Sequence, residues 1–263
     1  MTKIDPRAVI ADTAKIGTDV EIGPFAVIDG IVTIGDRCKI GPHAYLTGNT
    51  VIGENTQIHA GAIIGDAPQD LHYHGEPSNV QIGKDCIIRE YVTIHRGTEE
   101  GSTTVVGDRV LLMAFSHLGH NCIIEDDVVI ANATLLAGRV TVGAHAFISA
   151  GCMVHQFCRI GRLAMIGGGN AITQDVPPFC MLQFREVHGP NVVGLKRSGM
   201  ADDARNALHQ AIKIYFCFDL SRSDAVQRIR EEVPLCPEVQ EFIDFVMSTT
   251  RGICAGHKLQ PLD

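Results

Sequence analysis

The chain has 263 residues, no tryptophan, few aromatics, 27 glycines and a formal net charge of −8 at pH 7. No basic run or basic amphipathic helix offsets that charge, which excludes general nucleic-acid binding and leaves any anionic ligand to a local basic patch. No apolar run can cross a bilayer, no secretory h-region opens the chain, and none of the nine cysteines forms a CxxC pair, so reduced, mostly buried thiols in a cytoplasmic protein are expected.

From Ile10 an aliphatic residue returns every six positions, through Ile16, Ile22, Ile28, Ile34, Ile40, Leu46, Ile52 and Ile58 to Ile64. The phase resumes at Ile82, Ile88 and Ile94, and again from Val106 to Ile172. A period of six is neither helical nor a simple strand alternation. It is the hexapeptide β-helix pattern, in which three short strands close one triangular coil of eighteen residues. Coils then stack at about 4.8 Å with the aliphatics inside. Asp70, Glu76 and Glu100 break the series, so loops are expected near 66–81 and 97–104. The pattern ends near DVPPF (175–179), and 180–200 reads as a connector. Apolar spacing then predicts helices opening near Asp202, capped by Ser223 or Asp224, and starting at Pro237. The expected organisation is an all-β parallel β-helix over 1–185, then a connector and a small α-helical C-terminal domain over 186–263. A narrow prism cannot bury all its flat faces, and a face lined by Ala, Val and Cys is expected to need a partner chain.

The coil turns sequence distance into spatial distance. In SHLGHNC (116–122), His120 shares a column with Gly138 and Gln156, one and two coils on. His155 lies beside Gln156, and Asn121 stacks under Arg139. A neutral imidazole can deprotonate an alcohol near pH 7, and a glycine N–H can reach a developing oxyanion because no side chain blocks it. The column therefore suits acyl transfer. His117 either orients a substrate or packs.

The segments APQDLHYHGEP (67–77), VTIHRGT (92–98), SHLGHNC (116–122), VHQFCRIG (154–161), DVPPF (175–179), GLKRSGM (194–200) and STTRGI (248–253) span the chain. Together they resemble the bacterial UDP-N-acetylglucosamine O-acyltransferases of lipid A biosynthesis. The resemblance implies a left-handed parallel β-helix, a homotrimer with clefts between subunits, and no cofactor or metal. It implies transfer of an (R)-3-hydroxyacyl group from acyl carrier protein to the 3-position of UDP-N-acetylglucosamine. His120 then matches the general base and Gly138 the oxyanion donor, with Asp70, His72, His117, His155, Gln156, Asn191 and Arg197 on the substrate side. Gly168 matches the position that limits acyl length. A basic cluster of Lys196, Arg197, Arg159, Arg162, Lys213 and Arg205 would receive the acidic carrier.

The chain departs from the family pattern at Asn121 (commonly aspartate), Arg139 (a histidine), His72 (a lysine), Val193, Ser198 and Phe184-Arg185 (commonly Gly-Asn). These departures spare the base and oxyanion donor. Three other readings stand beside this one. The acceptor could be a 3-amino sugar nucleotide, giving an amide. The fold could carry a carbonic anhydrase, with zinc on His117, His120 and either His95 or His155. The chain could also be a non-catalytic relative.

Overall fold

The computed structural model describes residues 1–218 and 220–257. Residues 258–263, the end of the expected second domain, lie outside the described residues. The chain is a left-handed parallel β-helix followed by a small helical domain. Short strands, mostly of two residues, climb three sheets of 11, 9 and 8 strands, parallel except for the last strand of the largest. Register advances one coil at a time: Glu21 pairs with Lys39, Lys39 with Gln57, Leu111 with Val129 and Val129 with Phe147.

Two irregular steps mark insertions. Gln57 pairs with Ile87 and Thr93 with His117, so the first coil to be lengthened gains the loop 67–78 and the next gains 96–102. Arg96 ties them together: Nη2 and Nε donate to the Tyr73 hydroxyl at 2.8 and 3.1 Å, and Nη1 donates to Gly65 O at 2.9 Å.

Every inward aliphatic from Ile22 onward is buried. Two positions before each stands a smaller residue, such as Cys38, Cys86, Cys122, Ala146 or Ala164, also buried. Residues two apart on a strand share a face, so these small side chains fill the corners of the prism from within. This corrects the expectation that an Ala, Val and Cys face would need a partner. The apolar side chains left outside include instead Ile31, Ile123, Leu135, Phe147 and Met153. The N-terminal coil is less well covered: Ile4 is 47% exposed, and Ile10 and Ile16 are only partly covered.

The connector has more structure than its sequence promised. Strand Cys180–Gln183 adds a last rung beside Met165–Ile166, then turns back antiparallel as Glu186–Pro190. The expected domain boundary at 185/186 falls at this turn. Helices α1 (Val192–Arg197), α2 (Asp202–Cys217), α3 (Arg222–Glu232) and α4 (Pro237–Met247) follow. Pro237 opens α4 as expected, but α3 is capped by Ser221, whose Oγ accepts from Asp224 N at 3.2 Å, rather than by Ser223 or Asp224. Asp175, 1% exposed, anchors the C-terminal segment to the β-helix. It accepts from Arg159 N and Nε at 2.8 and 2.9 Å and from the Thr249 hydroxyl at 2.8 Å. Among the described residues no helix is long and apolar enough to cross a membrane.

Candidate active site

Leu118 pairs with Leu136 and Leu136 with Val154, so residues 120, 138 and 156 fall on one corner of consecutive coils. A cleft of about 780 Å³ opens there, between this corner and the loop 67–78. It gathers Asp70, His72, His117, His120, Gly138 and Gln156. A slightly larger hollow, about 860 Å³, lies over the first coils, but its imidazole, His59, is engaged by Glu90 at 3.4 Å.

His120 is held from one side. Its Nδ1 lies 2.8 Å from Asn121 Oδ1, which also accepts from the Thr98 backbone N–H at 3.1 Å. An oxygen facing Nδ1 requires the proton there and leaves the Nε2 lone pair toward the cleft. Asp70 Oδ2 stands 3.5 Å from that Nε2. The His72 backbone N–H, and next its ring, hold the Asp70 carboxyl below the usual carboxylate range, so an anion faces the His120 ring. One coil on, the Gly138 N–H makes no hydrogen bond within the described chain. Asn121, Arg139 and Phe157 turn this corner with φ of 59°, 61° and 66°.

His117 is differently placed. Its Nδ1 meets the Thr93 hydroxyl at 2.7 Å, and its ring packs edge to face on His95 with centroids 4.9 Å apart. Burial, aided by His95, pushes its pKa down to about 4, so it is neutral at ordinary pH. Cys122, the last residue of the motif, is no nucleophile. Its thiol donates into the core to Ala137 O at 3.2 Å, and burial pushes its pKa up to about 12.

The other predicted residues lie outside this cleft. Asn191 caps α1, accepting from Gly194 N at 3.1 Å and donating to Leu163 O at 2.9 Å. Arg197 is exposed at the end of the same helix. His155 Nδ1 lies 3.2 Å from both Arg251 Nη2 and the Gln156 carbonyl oxygen. Gly168 is exposed, with only Ala150 O and Ser149 Cβ, 3.3 and 3.9 Å away, near the place of a side chain. Of the expected basic cluster, Arg159, Arg162 and Arg205 are committed to Asp175, Glu241 and Asp202. Among the described residues Lys196, Arg197 and Lys213 enter no ion pair. Sequence reasoning missed Glu99 and Thr98, which reach Asn121 from the loop 96–102.

Among the described residues one group brings metal-ligand atoms within 4.8 Å of one another, and it is not at His117 and His120 but at Glu186, His188 and His257. There His188 and His257 stack at 4.2 Å and 12°, and His257 Nδ1 donates to Glu186 Oε2 at 2.7 Å. An imidazole binds a metal in its ring plane, so two stacked rings cannot share an ion. The group tethers the C-terminal segment to the hairpin.

A parallel β-helix of hexapeptide coils, with an imidazole packed beside a glycine whose N–H is unpaired among the described residues, places the chain in the class of hexapeptide-repeat transferases. Residues 31–66 and 103–138 match the model of bacterial transferase hexapeptide repeats, and 175–254 match domain 2 of UDP-N-acetylglucosamine O-acyltransferase. The chain is 47% identical over 256 residues to the acyl-[acyl-carrier-protein]–UDP-N-acetylglucosamine O-acyltransferase of Alkalilimnicola ehrlichii, covering 96% of this chain and 99% of that one. The crystal structure of the UDP-N-acetylglucosamine acyltransferase from Bacteroides fragilis superposes with a TM-score of 0.93 at 40% identity, over 95% of this chain and 99% of that one. The Francisella novicida enzyme does so at 0.91 and 34% identity, over 100% and 95%. The chain belongs to the UDP-N-acetylglucosamine O-acyltransferase family.

Proposed function

We propose that this chain transfers an (R)-3-hydroxyacyl group from acyl carrier protein to the 3-hydroxyl of UDP-N-acetylglucosamine, in lipid A biosynthesis in the cytoplasm. The observation that carries this reading is the pair in the cleft: His120, with its lone pair on Nε2, and beside it, one coil away, Gly138, whose N–H is unpaired among the described residues. His120 Nε2 takes the proton of the sugar hydroxyl as its oxygen attacks the thioester carbonyl. The Gly138 N–H receives the charge that develops on the carbonyl oxygen. Asp70 stabilises the imidazolium, which then protonates the leaving thiol. The attack is direct, since Cys122 is buried and protonated.

His155, Gly168, Asn191 and Arg197 enter through assembly: in a homotrimer they would line the cleft from an adjacent subunit, and Gly168 would leave room for the far end of a long acyl chain. His72 and Gln156 contact the nucleotide sugar from within the chain. Lys196, Arg197 and Lys213 form the landing site for the acidic carrier. Family membership favours this function over the amide-forming, zinc and non-catalytic readings.

The test is turnover of a 3-hydroxyacyl carrier-protein thioester with UDP-N-acetylglucosamine and with its 3-amino analogue in competition, products read by mass spectrometry. The ester should dominate and His120→Ala should abolish it. Equal rates for wild type and His120→Ala would remove His120 from its role, and a dominant amide would change the acceptor.

A further inference from the structure

An amide beside a catalytic imidazole is ambiguous in a way a carboxylate is not. The oxygen of Asn121, turned to His120, selects the tautomer with the proton on Nδ1 and a basic Nε2. The amide nitrogen, turned there instead, would select the proton on Nε2 and leave no base facing the cleft. Some other part of the protein has to decide which end points inward.

The loop 96–102 holds that part. Asn121 Nδ2 donates to Glu99 Oε2 at 3.3 Å, while the Thr98 N–H donates to Oδ1 at 3.1 Å. The other Glu99 oxygen is paired with Arg139 Nη2. Arg139 comes from the next coil, its backbone N–H donating to His120 O at 2.8 Å and its guanidinium lying over the Phe157 ring at 5.7 Å. The Asn121 backbone is fixed as well, its N–H donating to Thr104 Oγ1 at 2.8 Å. The series Arg139, Glu99, Asn121, His120 alternates donors and acceptors without a break.

We propose that Glu99, fixed by Arg139, is a positioning residue for the base: it holds the Asn121 amide in the one orientation that keeps the His120 proton on Nδ1. This rests on reading His120 as the general base. A carboxylate can only accept, so it must face the amide nitrogen of Asn121. The carboxylate absent at 121 is thus supplied one residue further out, and hydrogen bonds in such a series polarise one another.

The proposal makes an unusual demand on substitutions. In Glu99→Gln, Arg139 takes the glutamine oxygen and turns its NH₂ toward Asn121, which opposes the working orientation. In Asn121→Asp alone, two carboxylates confront each other. In the double variant the glutamine NH₂ meets the new carboxylate, and every donor again has an acceptor. The expected result is a fall in kcat of about 10- to 100-fold for Glu99→Gln with little change in KM, well short of the loss a fully wrong tautomer causes. A fall is likewise expected for Asn121→Asp, with recovery to within about threefold of wild type when the two are combined. Nitrogen-15 NMR of His120 reads the tautomer without any turnover: the proton should sit on Nδ1 in wild type and the double variant, and shift toward Nε2 in Glu99→Gln. Glu99 lies on an exposed loop, and a melting curve checks that each variant is folded. An unchanged tautomer in Glu99→Gln, or a double variant no better than the worse single one, overturns the proposal. If the wild type proves inactive on the carrier-protein thioester, the proposed function fails while the NMR comparison still decides this point.

Discussion

A methyl group placed on Gly138 would sit 2.2 Å from His120 Nε2 and 2.5 Å from Cε1. The backbone at 138 is not in the left-handed region, so alanine is acceptable there in every respect but this one. Gly138→Ala should therefore fold normally and displace the imidazole from the proposed oxyanion donor. Activity should fall about 100- to 1,000-fold. Initial rates set beside a melting curve within a few degrees of wild type would establish this, and retained activity would show that the ring need not stand where it does.

His117 gives a dependence on pH. Its folded pKa of about 4 is below the ordinary 6.5 because burial disfavours the charged ring. The unfolded chain thus binds the extra proton first. The stability this group contributes is complete above pH 6.5 and is lost as pH falls toward 4. Urea titrations at pH 7.5 and pH 4.5 should show a smaller acid loss in His117→Gln than in wild type. The difference should be on the order of 2 kcal/mol, and identical acid losses would count against it.

The hairpin turn at Phe184-Arg185 stores strain. Both residues have positive φ, 49° and 67°, and Phe184 is 79% exposed, so its ring gains little from packing. Two-residue turns of this kind favour Asn-Gly. Phe184→Asn with Arg185→Gly should raise stability by about 1–2 kcal/mol, visible as a higher Tm. A lower Tm would mean that the edge contact of the Phe184 ring with His188, centroids 6.4 Å apart, outweighs the strain of the turn.

Gly168→Met should fill the open volume beside Ala150 O. In the proposed trimer this shortens the acyl channel, and each methylene left unburied forfeits about 0.8 kcal/mol, nearly fourfold in rate. Competition between long and short 3-hydroxyacyl donors should shift toward the short ones. An equal loss at every length would exclude Gly168 from that role.

Asp175→Ala should loosen the join between the two parts of the chain. It strands the Arg159 N–H and the Thr249 hydroxyl and leaves Arg159 without its carboxylate. A cost of about 3 kcal/mol is expected. Proteolysis should then cut the C-terminal segment first, and a segment as resistant as in wild type would place the anchor elsewhere.

Much of the site could be read before the fold was known because the β-helix is periodic. Counting eighteen from His120 reaches Gly138 and Gln156, and the registers agree. Glu99 escaped that counting because it stands in an insertion, where no period relates it to Asn121. Its only signal was the loop itself, lengthening the coil next to His120. The hairpin after Cys180 escaped because Phe184-Arg185 carries no turn signature. The inward direction of Cys38 and Cys86 was available from strand alternation, two places from an aliphatic already known to point inside.

The uncovered first coil has a consequence for how the molecule opens. Each coil touches only its neighbours, so stability adds up along the axis, and unwinding starts where a coil has one neighbour in place of two. At the C-terminal end the hairpin and Asp175 close the stack, whereas at the other end Ile4 faces water. Amide hydrogens should exchange in a gradient, fastest on the strands Lys3–Ile4 and Val9–Ile10 and slowing coil by coil. His120 stands several coils up that gradient, so the chain can fray and re-zip its foot many times without disturbing the cleft.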